Sequence, residues 1–325
     1  MPYLQSSIKP VVIASKCLGF VHYRWNGEII NDDFTRLLGD FVEYLPVCPE
    51  VEIGLGVPRD PIHIESVRGE KRLVQPATGR DLTGVMHDFS DSFLGGIGLV
   101  DGFLLKYRSP SCGTNDVKIY SEGGKSGSIG KGAGFFAVAV MERFSNLAVE
   151  TEGRLKNYRV REHYLTKLWA MARFRNTAAA GGMKDLVVFH SGNKLLLMAY
   201  NQAKLKDLGK IVANHEHREL DEVFELYRDS LGQAFSKMPR YTSNINVLMH
   251  ALGYFSKEIS SREKSYFLDA LERYRAGKLP LSAVISIVNS WIVRFEQPYL
   301  ARQTFFSPYP EELALMSDSG KGREL

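Results

Sequence analysis

Three cysteines, Cys17, Cys48 and Cys112, are all the thiols this chain has. An odd number cannot pair completely. A chain expected to stay in a reducing compartment would keep them as thiols, so a disulfide framework is a poor reading and free or metal-bound thiols remain. Taken singly, each is expected as a small buried hydrophobe. Their contexts point elsewhere: Cys17 sits in SKCLGFVHYRWNG, Cys48 in PVCPE and Cys112 in SPSCGT, each flanked by Gly or Pro. Such residues let backbone amides approach and aim at a sulfur.

Two metal chemistries compete for these thiols. Zinc in a Cys₃His site would recruit His22 or His63 as fourth ligand. Structural zinc sites usually show a close pair of cysteines, and here the separations of 31 and 64 residues contain none. A four-iron cluster on three thiolates leaves one iron without a protein ligand, and soft iron suits a sulfur-bearing partner. Spacing favours the cluster and leaves zinc open.

Distant thiols meet only if the fold brings them together. From residue 9 onward, short apolar runs alternate with glycine- and proline-rich breaks: KPVVIASKCLG, FVEYLPVCPEVEIGLG and GGIGLVDGFLLKYRSPSCG. This predicts strand, loop, helix, strand in an α/β N-terminal domain with a Rossmann-like open sheet. Each cysteine follows one of the apolar runs, and the carboxyl ends of strands in such a sheet share the edge where ligands bind. After about residue 152 the glycines thin out. Helical periodicity then covers Arg154–Arg175, Asp185–Asn201, His215–Lys237, Asn244–Glu258, Ser261–Ala276 and Leu281–Phe295, which predicts an all-α C-terminal domain. Ser260 and Glu263 form a capping-box pattern ahead of one of these helices. The expected division is therefore residues 1–152 and 153–325.

Charge divides at the same place. Residues 1–152 carry 15 Lys or Arg against 19 Asp or Glu, whereas residues 153–325 carry 26 against 18. A basic C-terminal half suggests contact with a polyanion, against the alternative of an ordinary solvated surface. Along Arg154–Arg175, the residues Arg154, Arg159, Arg161, Arg173 and Arg175 surround an apolar face made by Tyr158, Leu165, Trp169 and Ala172, so the helix can pack and still offer guanidinium groups to phosphates. Later, Tyr299, Phe305, Phe306 and Tyr309 are placed to stack on bases or to pack a core. The stretch EGGKSGSIGKGAGFF invites a phosphate-loop reading, but the required Gly-x₄-Gly-Lys-Ser/Thr register fails. It reads as a mobile loop whose Lys125 and Lys131 can touch a phosphate. No apolar run approaches the roughly 18 residues of a membrane span, and the start lacks the order of a signal peptide. No membrane association and a cytoplasmic location are expected.

The motifs KCLG with YRWNG, PVCPE with GLGVPRDP, and SPSCG, in this order over residues 9–145, resemble the thiouracil desulfidase family. The resemblance implies a [4Fe-4S] cluster held by Cys17, Cys48 and Cys112 with one open iron. It also implies a catalytic pair, Glu50 and Ser109. By residue type alone Glu50 reads as a surface carboxylate and Ser109 as a turn residue before Pro110. In the family's chemistry the open iron binds the thio sulfur, Glu50 takes a proton from attacking water and returns it to the ring nitrogen, and Ser109 orients the base or the water. YRWNG differs from the VRYDG-like form of single-domain members, and His63 stands where they often have a carboxylate. The segments FHSGNKLLLMAYN and MHALGYF are similar to the helical domain of two-domain members, which act on 4-thiouridine in tRNA. The implied partner is thus tRNA or a thiolated uracil nucleoside. A free-base desulfidase, a tRNA thiolation protein and a non-catalytic RNA-binding protein with a structural metal remain as alternatives.

Overall fold

A computed structural model describes residues 8–22, 24–124 and 127–315. The chain forms two compact bodies, one of Ile8–Ala172 with 312–315 and one of Arg173–Glu311. The first holds all three cysteines and two sheets; the second is helical.

In the first body, β1 (Val11–Ser15), β2 (Glu43–Val47), β6 (Gly102–Leu105) and β9 (Ala148–Thr151) form a parallel sheet in the order β2-β1-β6-β9. The run VVIAS has the composition of a strand covered on both faces, and Val12, Ile13 and Ala14 are fully buried. Parallel pairing requires crossovers. These run through α1 (Asp33–Leu38), α2 (Pro49–Glu52), α3 (Thr83–Gly96) and α4 (Phe135–Arg143).

Between β2 and β6 and again after β6, the chain builds a second sheet that the strand-helix parse does not anticipate. It orders β5 (Arg80–Asp81), β4 (Glu70–Gln75), β3 (His63–Val67), β7 (Val117–Ser121) and β8 (Gly130–Gly132) as β5-β4-β3-β7-β8. The β3–β4 hairpin turns through Arg68 and Gly69, both at positive φ, which is the geometry a two-residue hairpin needs. The expected mobile loop is shorter than predicted. Gly130–Gly132 is paired to β7, and α4 starts at Phe135. Lys131 therefore sits exposed on a strand, and Lys125 lies outside the described residues. One apolar core joins both sheets to α3 and α4, with Ile13, Val47, Ile64, Leu73, Met86, Phe103, Val117 and Phe136 among its members.

The helical part of the chain comprises α5 (Tyr158–Ala180, of which the residues to Ala172 belong to the first body), α6 (Met183–Gly192), α7 (Lys194–Tyr200), α8 (Gln202–Ala213), α9 (Leu220–Ala234), α10 (Tyr241–Tyr254), α11 (Ser261–Arg275), α12 (Leu281–Arg294) and α13 (Pro298–Ala301). The predicted helix over 185–201 is two helices. Asn193 breaks it: its buried amide donates to the Phe189 carbonyl at 2.8 Å and its oxygen accepts from Thr304 Oγ1 at 2.8 Å. The Ser260–Glu263 capping box forms as expected.

Candidate active site

The chain passes from β1 outward to β2, then returns to lay β6 on the other side of β1, so β1 and β6 flank the point where strand order reverses. Crevices at the carboxyl ends of strands beside such a reversal are where open α/β sheets bind ligands. Cys17 follows β1, Cys48 follows β2, and Cys112 lies in the loop after β6. All three line one cavity of about 530 Å³, together with Glu50, Ser109 and His63. That volume lies within the range of small-ligand sites.

Local sequence explains how each group is held. Cys48 is the N-cap of α2 with Pro49 at its first position, where a missing amide hydrogen costs nothing, and this sends Glu50 into the first turn. Ser109 folds the SPSCG loop on itself: its hydroxyl accepts the amides of Ser111 and Cys112, each at 3.2 Å. The start of α4 then clamps this loop, because the amides of Phe135 and Ala137 donate to the carbonyls of Pro110 and Ser111. Gly134 is needed at the crossing, since a Cβ there would lie 2.6 Å from Ser111 backbone atoms.

Burial raises the pKa of all three thiols. Cys17 is pushed up to about 12, by burial first and then by the neighbouring Cys48, with Lys106 acting against the shift. Cys48 is raised by burial and by Glu50. Cys112, deepest of the three, is raised by burial, by Glu50 and by the other two sulfurs, while the Ser15 hydroxyl bonded to it acts the other way. Thiols in this state stay protonated near neutral pH, so loading them with metal must displace protons and supply positive charge. Among the described residues, no three Cys, His, Asp or Glu side chains are grouped to hold a single metal ion.

Glu50 is bound on every side. Its Oε2 accepts from Arg59 Nε at 3.0 Å and Nη2 at 2.6 Å, and its Oε1 accepts from the hydroxyls of Ser109 and Ser111, both at 3.1 Å. The side chains of Arg59 and Glu50 are only 4% and 13% exposed. Arg59 and Ser111 carry no role in the sequence reading, although GLGVPRDP and SPSCG contain them. The signal available was a lone cation among glycines and prolines. Replacing Arg59 with Ala leaves a buried carboxylate without its counter-charge, a loss of about 3 to 5 kcal/mol. Thermal unfolding of Arg59→Ala should show a clearly lower midpoint than Arg59→Lys, and equal midpoints would contradict this account.

The structure handles the predicted phosphate-binding residues unevenly. Arg161, 4% exposed, donates its guanidinium to the carbonyls of Leu155 and Leu315. Arg173 has a buried guanidinium that donates to the Pro308 carbonyl at 2.9 Å, and burial lowers its pKa to about 10. These two are corrections, because long side chains on an apolar helix were folded into the body instead of facing outward. Arg154 is ion-paired with Glu150 at 2.8 Å, whereas Arg159 and Arg175 are half-buried. Phe305, Phe306 and Tyr309 are core residues.

Comparison with known proteins bears on the same residues. Residues 12–152, which hold all three cysteines, Glu50 and Ser109, match the family model described as 2-thiouracil desulfurase. This part of the chain is similar to the 2-thiouracil desulfurase family. Residues 194–310 match a second model, described as a protein of unknown function, DUF1722. The chain is 28% identical to the uncharacterized protein YbgA of Escherichia coli (strain K12) over 159 residues, covering 49% of this chain and 85% of that one. It is 29% identical to the uncharacterized protein YbbK of Bacillus subtilis (strain 168) over 114 residues, covering 33% and 76%. A solved structure described as the [4Fe-4S]-dependent thiouracil desulfidase TudS is 28% identical, with a TM-score of 0.33, over 45% of this chain and 93% of that one. The residues that match this model lie in the body that holds the cysteine cavity, and no helix among the described residues is long and apolar enough to cross a membrane.

Proposed function

We propose that this chain is an iron–sulfur-dependent desulfidase that converts thiouracil in RNA, as 4-thiouridine in tRNA, to uracil with release of sulfide. The observation that carries the reading is the opening of all three thiols into one cavity at the reversal point of a desulfurase-family sheet. The donor set suits a cluster on Cys17, Cys48 and Cys112. One zinc ion would need its ligands within about 2.3 Å of a single point. Cys17, Cys48 and Cys112 would instead hold a cluster as soft thiolate donors. When bound, it supplies an electrophile for the thio sulfur without net redox change. Glu50 accepts the proton of the attacking water, and Ser109 keeps the Cys112 loop and the Glu50 oxygen in one frame. Arg59 and Ser111 fix that carboxylate.

Charge on the cavity wall supports a phosphate-bearing substrate. The lining holds six Lys or Arg residues against a single carboxylate, Glu50. Four of the cations pair with acids: Lys16 with Glu52, Arg24 with Glu28, Arg59 with Glu50 and Lys106 with Glu152. Arg108 and Lys118 form no ion pair among the described residues, and Lys118 lies directly opposite Lys131 on the neighbouring strand. Like charges facing each other across a sheet repel unless an anion lies between them. Trp25, also on the lining and exposed, offers a face on which a base can stack.

The test is anaerobic reconstitution with iron and sulfide, followed by incubation with thiouridine-containing tRNA, free thiouridine and free thiouracil, and base analysis of each. Conversion to uridine with sulfide release is expected, fastest on tRNA. Zinc at one per chain without visible absorbance, or no sulfide from any substrate, would overturn the reading. The double variant Arg108→Ala with Lys118→Ala should lose at least about tenfold in kcat/KM on tRNA and lower the salt dependence by roughly one to two units of slope. Its loss on free thiouracil should be smaller, and equal losses on both would remove these residues from phosphate recognition.

A further inference from the structure

His63 and Glu65 stand two residues apart on β3, so strand alternation puts both side chains on one face. They are joined, with His63 Nε2 2.6 Å from Glu65 Oε1. The Glu65 side chain is 8% exposed, and its second oxygen accepts the Gly123 amide at 3.1 Å. An ionised carboxylate only accepts, so with Glu65 ionised the hydrogen of this bond sits on Nε2, and a ring carrying that one hydrogen keeps a lone pair on Nδ1. Among the described residues, Nδ1 has no hydrogen-bond partner. The imidazole stacks on Tyr120, with ring centroids 5.0 Å apart and planes 29° apart, and both rings line the thiol cavity. The turn after β7 closes on the imidazole. Gly124 has φ +60°, and a Cβ there would lie 2.8 Å from His63 Cε1. Part of the glycine-rich segment that failed as a phosphate loop thus lets the backbone run against this ring.

His63 lines the same cavity as Glu50, whose Oε2 is held by Arg59 and whose Oε1 takes its two bonds from hydroxyls that can turn to admit a water. We propose that His63, oriented by Glu65, is a second catalytic residue that accepts the ring N–H of thiouracil, borrows that proton and returns it. The inference rests on the desulfidase reading above. The N–H concerned lies between the two carbonyl carbons of uracil and so adjoins either possible thio position.

Nδ1 takes the ring proton as the N–H electron pair moves into a carbon–nitrogen double bond and the thiocarbonyl pair moves onto sulfur. The oxygen of water then bonds to the ring carbon and gives one proton to Glu50, and the nitrogen, regaining its electron pair, takes its proton back from His63. The carbon–sulfur bond breaks with its electrons on sulfur as the hydroxyl becomes a carbonyl. Both water protons pass by way of Glu50 to sulfur, which leaves as hydrogen sulfide. Nothing is oxidised or reduced, and a His oriented by a carboxylate suits repeated proton exchange.

Two measurements test this, one without turnover. In ¹⁵N NMR of the full chain, adding uridine should shift the His63 Nδ1 resonance, and adding 3-methyluridine, which lacks the N–H, should not. In reconstituted protein, His63→Gln should lower kcat at least about 10²-fold with KM changed far less. Imidazole in solution should restore His63→Ala at least severalfold. Gly124→Ala, which crowds the ring, should reproduce the kcat loss in part. An unmoved Nδ1 resonance, or kcat within twofold of wild type in His63→Gln, overturns the proposal. A wild-type chain that shows the resonance shift yet desulfurates no thiouracil would instead sink the desulfidase reading and leave His63 as a contact to the uracil ring.

Discussion

Replacing Cys112 with Ala should remove the visible absorbance of the reconstituted protein and thiouracil turnover together, the latter by at least about 10³-fold. The size follows from what the thiol holds. A Lewis acid on the departing sulfur is worth several kcal/mol of transition-state stabilisation, and each 1.36 kcal/mol is a factor of ten in rate. Cys112 is the most deeply placed of the three thiols, with the Ser15 hydroxyl bonded to its sulfur and the other two sulfurs close enough to raise its pKa. Cys17→Ala and Cys48→Ala should behave alike, because no other Cys in the chain can substitute. Iron and sulfide content, the visible spectrum and sulfide release, measured on the same anaerobic samples, check this. Full turnover in any one of the three variants would remove that residue from the ligand set.

Glu50→Gln should separate chemistry from assembly. The introduced amide is nearly isosteric with the carboxylate and can keep bonds to Ser109 and Ser111, but it cannot accept a proton from water. A fall in kcat of about 10² to 10⁴ is expected, the usual contribution of a positioned acid–base group. The chromophore should persist, since Glu50 is no ligand in the proposed arrangement. The change also strands the buried Arg59, whose guanidinium gives two hydrogen bonds to one Glu50 oxygen. Assays therefore belong well below the melting temperature of the variant, with a thermal scan alongside. A Glu50→Gln enzyme that keeps its chromophore and runs within tenfold of wild type would show that another group activates the water.

The alternation of short apolar runs with Gly and Pro breaks announces a parallel sheet and the loops that leave it, because those strands are buried on both faces and their patterning is local. The cysteines could be assigned to those loops, and a helical second half could be predicted from 3.6-residue periodicity. Capping is just as local, and the Ser260–Glu263 box formed where its two residues stood. Pairings between distant segments carry no such signal. The mixed sheet depends on β3 finding β7 more than 50 residues later, and the break at Asn193 depends on Thr304. Arg161 and Arg173 show the same limit from the side of charge: composition counts a guanidinium, but only packing decides whether it faces water or a backbone carbonyl. Glu50 and Ser109 entered through family resemblance. The tertiary structure added Arg59 and Ser111, and it packed Glu65 and the Gly123–Gly124 turn against His63 on the cavity wall. Ser111 reaches Glu50 across 61 positions and Gly123 reaches Glu65 across 58, and a hydrogen bond between such partners has no period or spacing to betray it in a linear chain.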